Sequence, residues 1–394
     1  MMLSELINHS PDLKRLWDEG HSMEVIHGFL AVRDIPYVNS KAEIKRGVLV
    51  TSLNLAMPDK TTTPETHVIH FIGEYPCNRD GTPIKQIFHS TQDNDLAPGK
   101  LRVNHSFSNK PANGFQDYYE KLTSYIRVIS NPAKSLDDSI TEKTFYVIEA
   151  DEDESVFNYL DTNSSRAEIN QVTQKLSGQR VAIIGLGGTG SYVLDLLAKT
   201  PVAEIHLFDG DDFLQHNAFR SPGATPKEKF KEHLKKADYL QEIYSKMHRH
   251  IVSHPVNVDE SNIAELTPMT FIFICMDTGE IKRRIISFLT ENQASFIDVG
   301  IGVEDIDGAL IGKVRVTTST TEMRSHLEKR ISYAANKNDD YDRNIQIADL
   351  NCLCATLAVI KWKKLYGFYR EHEKEFHTSF SIYTNEINNE DISI

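Results

Sequence analysis

The sequence predicts an α/β protein, with a βαβ nucleotide-binding unit in its C-terminal half and a separate α+β domain in front. Three features predict this. Residues 181–184, Val-Ala-Ile-Ile, read as a short buried strand. It runs into Gly185-Leu186-Gly187-Gly188-Thr189-Gly190-Ser191 and then into an apolar-periodic helix. Residues 203–208 read as a second strand ending on Asp209, an acid about twenty residues beyond the glycines. Residues 1–155, by contrast, pass from a helical stretch to short β-like runs separated by turn signals.

The chain has 394 residues and a formal charge of −13, with the composition of an ordinary globular protein. That length suits about two or three domains, and the acidic balance argues against nucleic acid as a partner. No apolar run approaches the ~20 residues of a membrane span, so no membrane is expected. The N-terminus lacks the basic start and long apolar core of a signal peptide. The four cysteines, Cys77, Cys275, Cys352 and Cys354, form no C-x-x-C pairs, which argues against structural zinc or a disulfide framework. A cytoplasmic setting fits best.

In order along the chain, residues 3–29 carry a helical pattern split by Pro11. β-like runs follow at 29–32, 47–55, 67–71, 84–88 and 101–103, with turn signals at Arg79-Asp80-Gly81 and Pro98-Gly99. Residues 118–129 read as a helix that stops at Asn131-Pro132, and 145–148 as one more strand. His67, His70, His89 and His105 recur here without the spacing of a ligand cluster. The acidic run 151–154 marks a boundary. Residues 156–160 read as a short anchor, and Ser164 or Ser165 as the cap of the helix that contains Arg166.

The glycine turn and the helix behind it form an anion cradle. Glycine lets the backbone approach a phosphate, and the helix start offers unpaired N–H groups. Up to Asp209 a nicotinamide or flavin enzyme is equally well served. Further on come Asn217, Arg220, a lysine-rich stretch at 227–236, a helix over 237–247, and a strand over 270–275 that ends at Asp277.

Over about residues 160–370 this set resembles the ThiF/MoeB/ubiquitin-activating-enzyme superfamily, whose adenylation domain is Rossmann-like. The resemblance implies a phosphate loop at Gly185, Gly187, Gly188, Gly190 and Ser191, and a ribose-binding acid at Asp209. It implies ATP contacts at Asn217, Arg220 and Lys236, with Lys235 as runner-up, and a Mg2+ ligand at Asp277. Arg166 would reach into the neighbouring subunit of a homodimer. Thr189 stands where the family commonly has leucine. The implied reaction joins a C-terminal carboxylate of a ubiquitin-like protein to the α-phosphorus of ATP. Two anions must meet, so positioning and charge neutralisation dominate the barrier.

Residues 318–345 are polar and fall at the family's crossover, where thioester-forming members usually carry the nucleophilic cysteine; this stretch has none. Cys352, at the opening of the helix that runs to Gly367, is the nearest candidate, followed by Cys354. The expected domains are 1–155, 156–370 for adenylation, and a C-terminal tail over 371–394. The N-terminal region resembles the one fused to ThiF-type enzymes of bacterial ubiquitin-like conjugation operons (BilD-like), which implies a role in binding the ubiquitin-like protein or a conjugating enzyme. The alternatives are an NAD-dependent oxidoreductase, a nucleotide-binding scaffold without turnover, and adenylation of a non-protein carboxylate.

Overall fold

The computed structural model describes residues 3–147, 155–167, 169–277, 279–333 and 345–393. The acidic run 151–154 and residues 334–344 of the expected crossover lie outside the described residues. The chain divides into two compact units, Met1–Ile148 with Asp161–Glu168, and Glu149–Leu160 with Ile169–Ile394. The short segment holding Arg166, expected in the nucleotide domain, therefore clusters with the first unit.

The first unit opens with α1 (Leu3–His9) and α2 (Pro11–Asp18), then β1 (Met23–Ile26), β2 (Phe29–Val38), β3 (Ile44–Ser52), β4 (Leu55–Met57), β5 (Lys60–Thr61), β6 (Val68–Ile72), β7 (Phe88–Ala97) and β8 (Leu101–Ser108). It ends with α3 (Tyr118–Leu136) and α4 (Thr162–Arg166). Six of the strands form an antiparallel sheet in the order β1-β2-β3-β6-β8-β7. Leu30, Leu49, Phe71 and Phe107 pack with Leu13 and Leu16 of α2 and Leu122 and Ile126 of α3.

Several expectations change here. The first helical stretch ends at Asp18, because residues 23–26 pair with β2. The strand expected at 84–88 begins only at Phe88 and is mostly exposed and polar. As the sheet's edge it has one partner, β8, and no face that requires alternation. Helix α3 passes through Pro132: Ile129 and Ser130 before it and Ala133 after it stay buried, and only one backbone bond is lost to the proline. Residues 144–147 form no strand; Phe145 has φ +47°. The cap of α4 is Asp161, whose side chain accepts from the Ser164 N–H at 3.0 Å, rather than either serine.

The second unit contains α5 (Asn170–Thr173), β9 (Arg180–Ile184), α6 (Gly188–Leu197), β10 (Glu204–Phe208), α7 (Gln215–Ala218), α8 (Lys236–Tyr244), β11 (Ile251–His254), β12 (Phe271–Ile274) and α9 (Glu280–Glu291). Then come β13 (Phe296–Ile306), β14 (Ala309–Ser319), α10 (Leu327–Arg330), α11 (Ala348–Leu365), β15 (Lys374–Ser381) and β16 (Glu386–Ser393). One sheet runs β11-β10-β9-β12-β13-β14-β15-β16. It is parallel from β11 to β13 and antiparallel from there on. The stretch expected as a tail from residue 371 thus supplies two strands, β15 and β16, that extend the sheet.

Both faces of the parallel part are covered, which is why β9 and β12 read as unbroken apolar runs. Val181, Ile183 and Phe273 pack with Val193 and Leu194 of α6 and Trp362 of α11. Ala182, Ile184 and Ile274 pack with Ile285 and Leu289 of α9 on the other side. The register sets Ile184 beside Phe208 and Ile274, so three strands end level at their carboxyl ends. No helix among the described residues is long and apolar enough to cross a membrane.

Lys121 of α3 is fully buried in the first unit. Its ammonium donates to Thr51 Oγ1 and to the Thr66 carbonyl, both at 2.7 Å, and burial lowers its pKa from 10.5 to about 8. The folded state therefore holds this proton less tightly than the unfolded chain. The burial penalty is full below pH 8 and is relieved as pH rises from 8 to 10.5, by about 3 kcal/mol. Across that window the unfolding midpoint of the first unit should rise relative to that of Lys121→Met, measured by thermal melts at matched pH.

Candidate nucleotide site

The glycine turn joins β9 to α6, and its glycines do different jobs. Gly185 has φ +88°, and a Cβ there would sit 2.8 Å from the Cys275 carbonyl oxygen at the end of β12. A Cβ on Gly190 would collide with the Gly185 carbonyl, so this residue permits close packing of helix on strand. A Cβ on Gly188 would collide with the Asn351 amide. Gly187 is the open one: the nearest atom to its Cβ position is Gln346 Oε1 at 4.0 Å. As N-cap of α6, Gly187 brings no side-chain acceptor to the first N–H groups of the helix. Ser191 is turned inward, its hydroxyl donating to the Gly188 carbonyl at 2.7 Å.

Asp209 follows β10 and is 6% exposed. Its Oδ2 accepts from the Leu186 N–H of the turn at 2.7 Å, and its Oδ1 from the Asp211 N–H at 2.9 Å. Lys236, the first residue of α8, is also buried; its ammonium lies 3.7 Å from Asp209 Oδ1 and 2.7 Å from Asp211 Oδ2. Turn, acid and lysine therefore meet. Lys235 points elsewhere, to Asp212 at 2.8 Å and the Gly210 carbonyl at 2.9 Å.

Asn217, in α7, and Arg220, just past its end, are linked by their backbones, the Arg220 N–H donating to the Asn217 carbonyl at 3.1 Å. Asn217 Oδ1 accepts from the Leu214 N–H at 2.8 Å. Asn217 Nδ2 and Arg220 Nε are buried, with no hydrogen-bond partner among the described residues. Buried donors of this kind are costly without an acceptor. Two such donors, three residues apart, suit an oxygen-rich ligand such as a nucleotide.

Asp277 is exposed, two residues beyond the point where Cys275 packs on Gly185. Behind it lies a charge cluster that sequence reasoning missed. The Lys282 ammonium is 2.5 Å from Asp298 Oδ1, and Arg315 Nη1 donates to Asp298 Oδ2 at 2.7 Å. Lys282 and Asp298 are essentially inaccessible, and Lys282 also donates to the Met276 carbonyl at 3.4 Å. This pair braces the Met276-Asp277 bend. Its only sequence signal is a lysine on the inner face of α9.

Arg166 lies in the first unit, with its Nε 3.8 Å from Asp18. Cys352 is half-buried and is the fifth residue of α11, one turn in from the helix start where the dipole acts most. Burial pushes the thiols of Cys77 and Cys275 up, and that of Cys354 up to about 12, so these three stay protonated.

Residues 162–390, more than half of the chain, match the ThiF family, and the chain belongs to that family. Residues 11–162 match a domain of unknown function, DUF6791. Ubiquitin-like modifier-activating enzyme 5 of Drosophila mojavensis is 22% identical over 154 residues, which is 36% of this chain and 39% of that protein. The Drosophila virilis protein gives the same identity over 38% of its length. The chain thus matches less than two-fifths of these curated relatives. Among solved structures, PaaA superposes at a TM-score of 0.44 with 18% identity, over 56% of this chain and 75% of PaaA. E. coli MccB with ATP gives a TM-score of 0.40 and 17% identity, over 56% of this chain and 65% of MccB. E. coli tRNA N6-threonylcarbamoyladenosine dehydratase, TcdA, with ATP gives 0.38 and 17%, over 52% and 93%.

Gly190→Ala should lower the stability of the second unit by ~3 kcal/mol through overpacking against Gly185. Gly187→Ala, facing open space, should leave it within ~1 kcal/mol, after allowing for the change in helix-cap preference. Differential scanning calorimetry of the two variants separates packing from approach.

Proposed function

We propose that the second unit adenylates the C-terminal carboxylate of a ubiquitin-like protein, using ATP. The observation that carries this is the meeting of the glycine turn, Asp209 and Lys236 at level strand ends, with unpartnered buried donors on Asn217 and Arg220 nearby in sequence. Membership of the ThiF family and the partial match to ubiquitin-like modifier-activating enzyme 5 support it.

ATP, when bound, supplies an electrophilic α-phosphorus and a pyrophosphate leaving group. Asp209 keeps lone pairs beyond its two backbone bonds, and these accept from a ribose hydroxyl. The open face at Gly187 admits a phosphate to the start of α6. Arg220 and Lys236 hold phosphate oxygens, the first as a planar fork and the second as a point charge. Asp277 is the residue that would hold Mg2+, an ion that prefers a few carboxylates plus phosphates and water and would supply positive charge beside the phosphates. The charges of Arg220 and Lys236 offset the repulsion between the incoming carboxylate and the phosphates.

In this reading Arg166 serves a neighbouring subunit of a homodimer, and Cys352 is the candidate for a later thioester. The first unit helps bind the ubiquitin-like protein or a conjugating enzyme, in a bacterial cytoplasm.

ATP–pyrophosphate exchange with purified ubiquitin-like partners is the test. Arg220→Ala and Asp277→Ala should each reduce exchange at least ~100-fold, while Cys352→Ala should leave it intact and affect only a later transfer. Absence of exchange by the wild-type protein with every such partner would remove the reading. Normal exchange by the Asp277 variant would move the metal elsewhere.

A further inference from the structure

Asn351 is a buried polar side chain that the reaction outlined above does not use. It stands on α11 and is 1% exposed. Its Oδ1 accepts from Thr189 Oγ1 at 2.9 Å, which leaves its Nδ2 as the remaining end. That Nδ2 is buried and has no hydrogen-bond partner among the described residues. The amide fills the space a Cβ on Gly188 would take. Gly188 and Thr189 are the first two residues of α6, a helix of 10 residues with no side-chain cap. A second orphan stands beside it: Gln346 Oε1, also buried and unpartnered, is the atom nearest the open side of Gly187.

Two amides from one short segment thus sit at a helix start that favours anions. One offers an unused donor. The other has an acceptor oxygen 4.0 Å from the Cβ position of Gly187, with no donor to it among the described residues. An unpaired buried donor is costly, and the cost is recovered when an acceptor arrives.

We propose that Asn351 is a phosphate-binding residue of the nucleotide site. Its Nδ2 donates to a phosphate oxygen held at the start of α6, and the Gln346 side chain swings aside as that phosphate enters. The inference rests on the adenylation reading for the nature of the ligand. It adds a contact made from α11, beyond the crossover, which couples that helix to nucleotide occupancy.

The test is calorimetric titration of the full-length wild-type protein, Asn351→Asp and Asn351→Ala with adenosine, AMP, and ATP plus Mg2+. Asn351→Asp keeps an acceptor for Thr189 but turns an oxyanion toward the phosphate. Both variants should bind AMP and ATP at least ~10-fold more weakly, the Asp variant more so. Both should bind adenosine as the wild type does, which also reports that they are folded. Unchanged AMP and ATP affinity, or equal loss for all three ligands, overturns the inference. Wild-type protein that binds none of the three overturns the adenylation reading and this inference together. Wild-type protein that binds AMP and ATP, loses them selectively in the variants, yet gives no pyrophosphate exchange supports this inference and removes the adenylation reading alone.

Discussion

One carboxylate holds the strand-end face of the second unit together. Asp209 is nearly sealed from solvent, and each of its oxygens accepts a backbone N–H, one from the glycine turn and one from its own loop. A buried carboxylate is costly unless hydrogen-bonded and paired. Here the two N–H groups and the nearby Lys236 ammonium meet that demand. Since the three groups come from the β9 turn, the loop after β10 and the start of α8, satisfying one charge fixes three segments. The same side chain that would meet a ribose thereby also shapes the turn that would meet a phosphate.

The sheet explains why these segments arrive together. Parallel strands β9, β10 and β12 end level, and the crevice beyond such ends is where open α/β sheets bind ligands. The helices on both faces leave the strand ends as the free side. The antiparallel strands β14, β15 and β16 lengthen the sheet away from this crevice. Lys282, locked to Asp298 on β13, fastens the Met276-Asp277 bend to the same frame.

Much of this was legible in the sequence where the signal is local. The apolar run at 181–184, the glycines and the acid at 209 declare a strand, a turn and a second strand within thirty or so residues. Lys236 could be chosen over Lys235 only by their order, and the structure separates them by direction. Long-range features were not legible. Asn351 meets Thr189 across 162 residues, and nothing near 351 announces a turn at 189. Strands β7 and β16 are polar and exposed edges, so neither carries the alternation that marks a half-buried strand. Pro132 reads as a stop, yet the buried face of α3 carries the helix past it. Arg166 was assigned by its distance from β9 along the chain, a measure blind to which compact unit a segment joins.

The contact of Gly188 with Asn351 has an evolutionary corollary. The amide rests where the glycine's side chain would be, so the two positions share one volume. A methyl group can be gained at 188 only if 351 shrinks, and a bulkier residue at 351 is tolerated only over a bare α-carbon. The pair should drift through related genomes as a joint character, with each state of one position restricting the alphabet of the other.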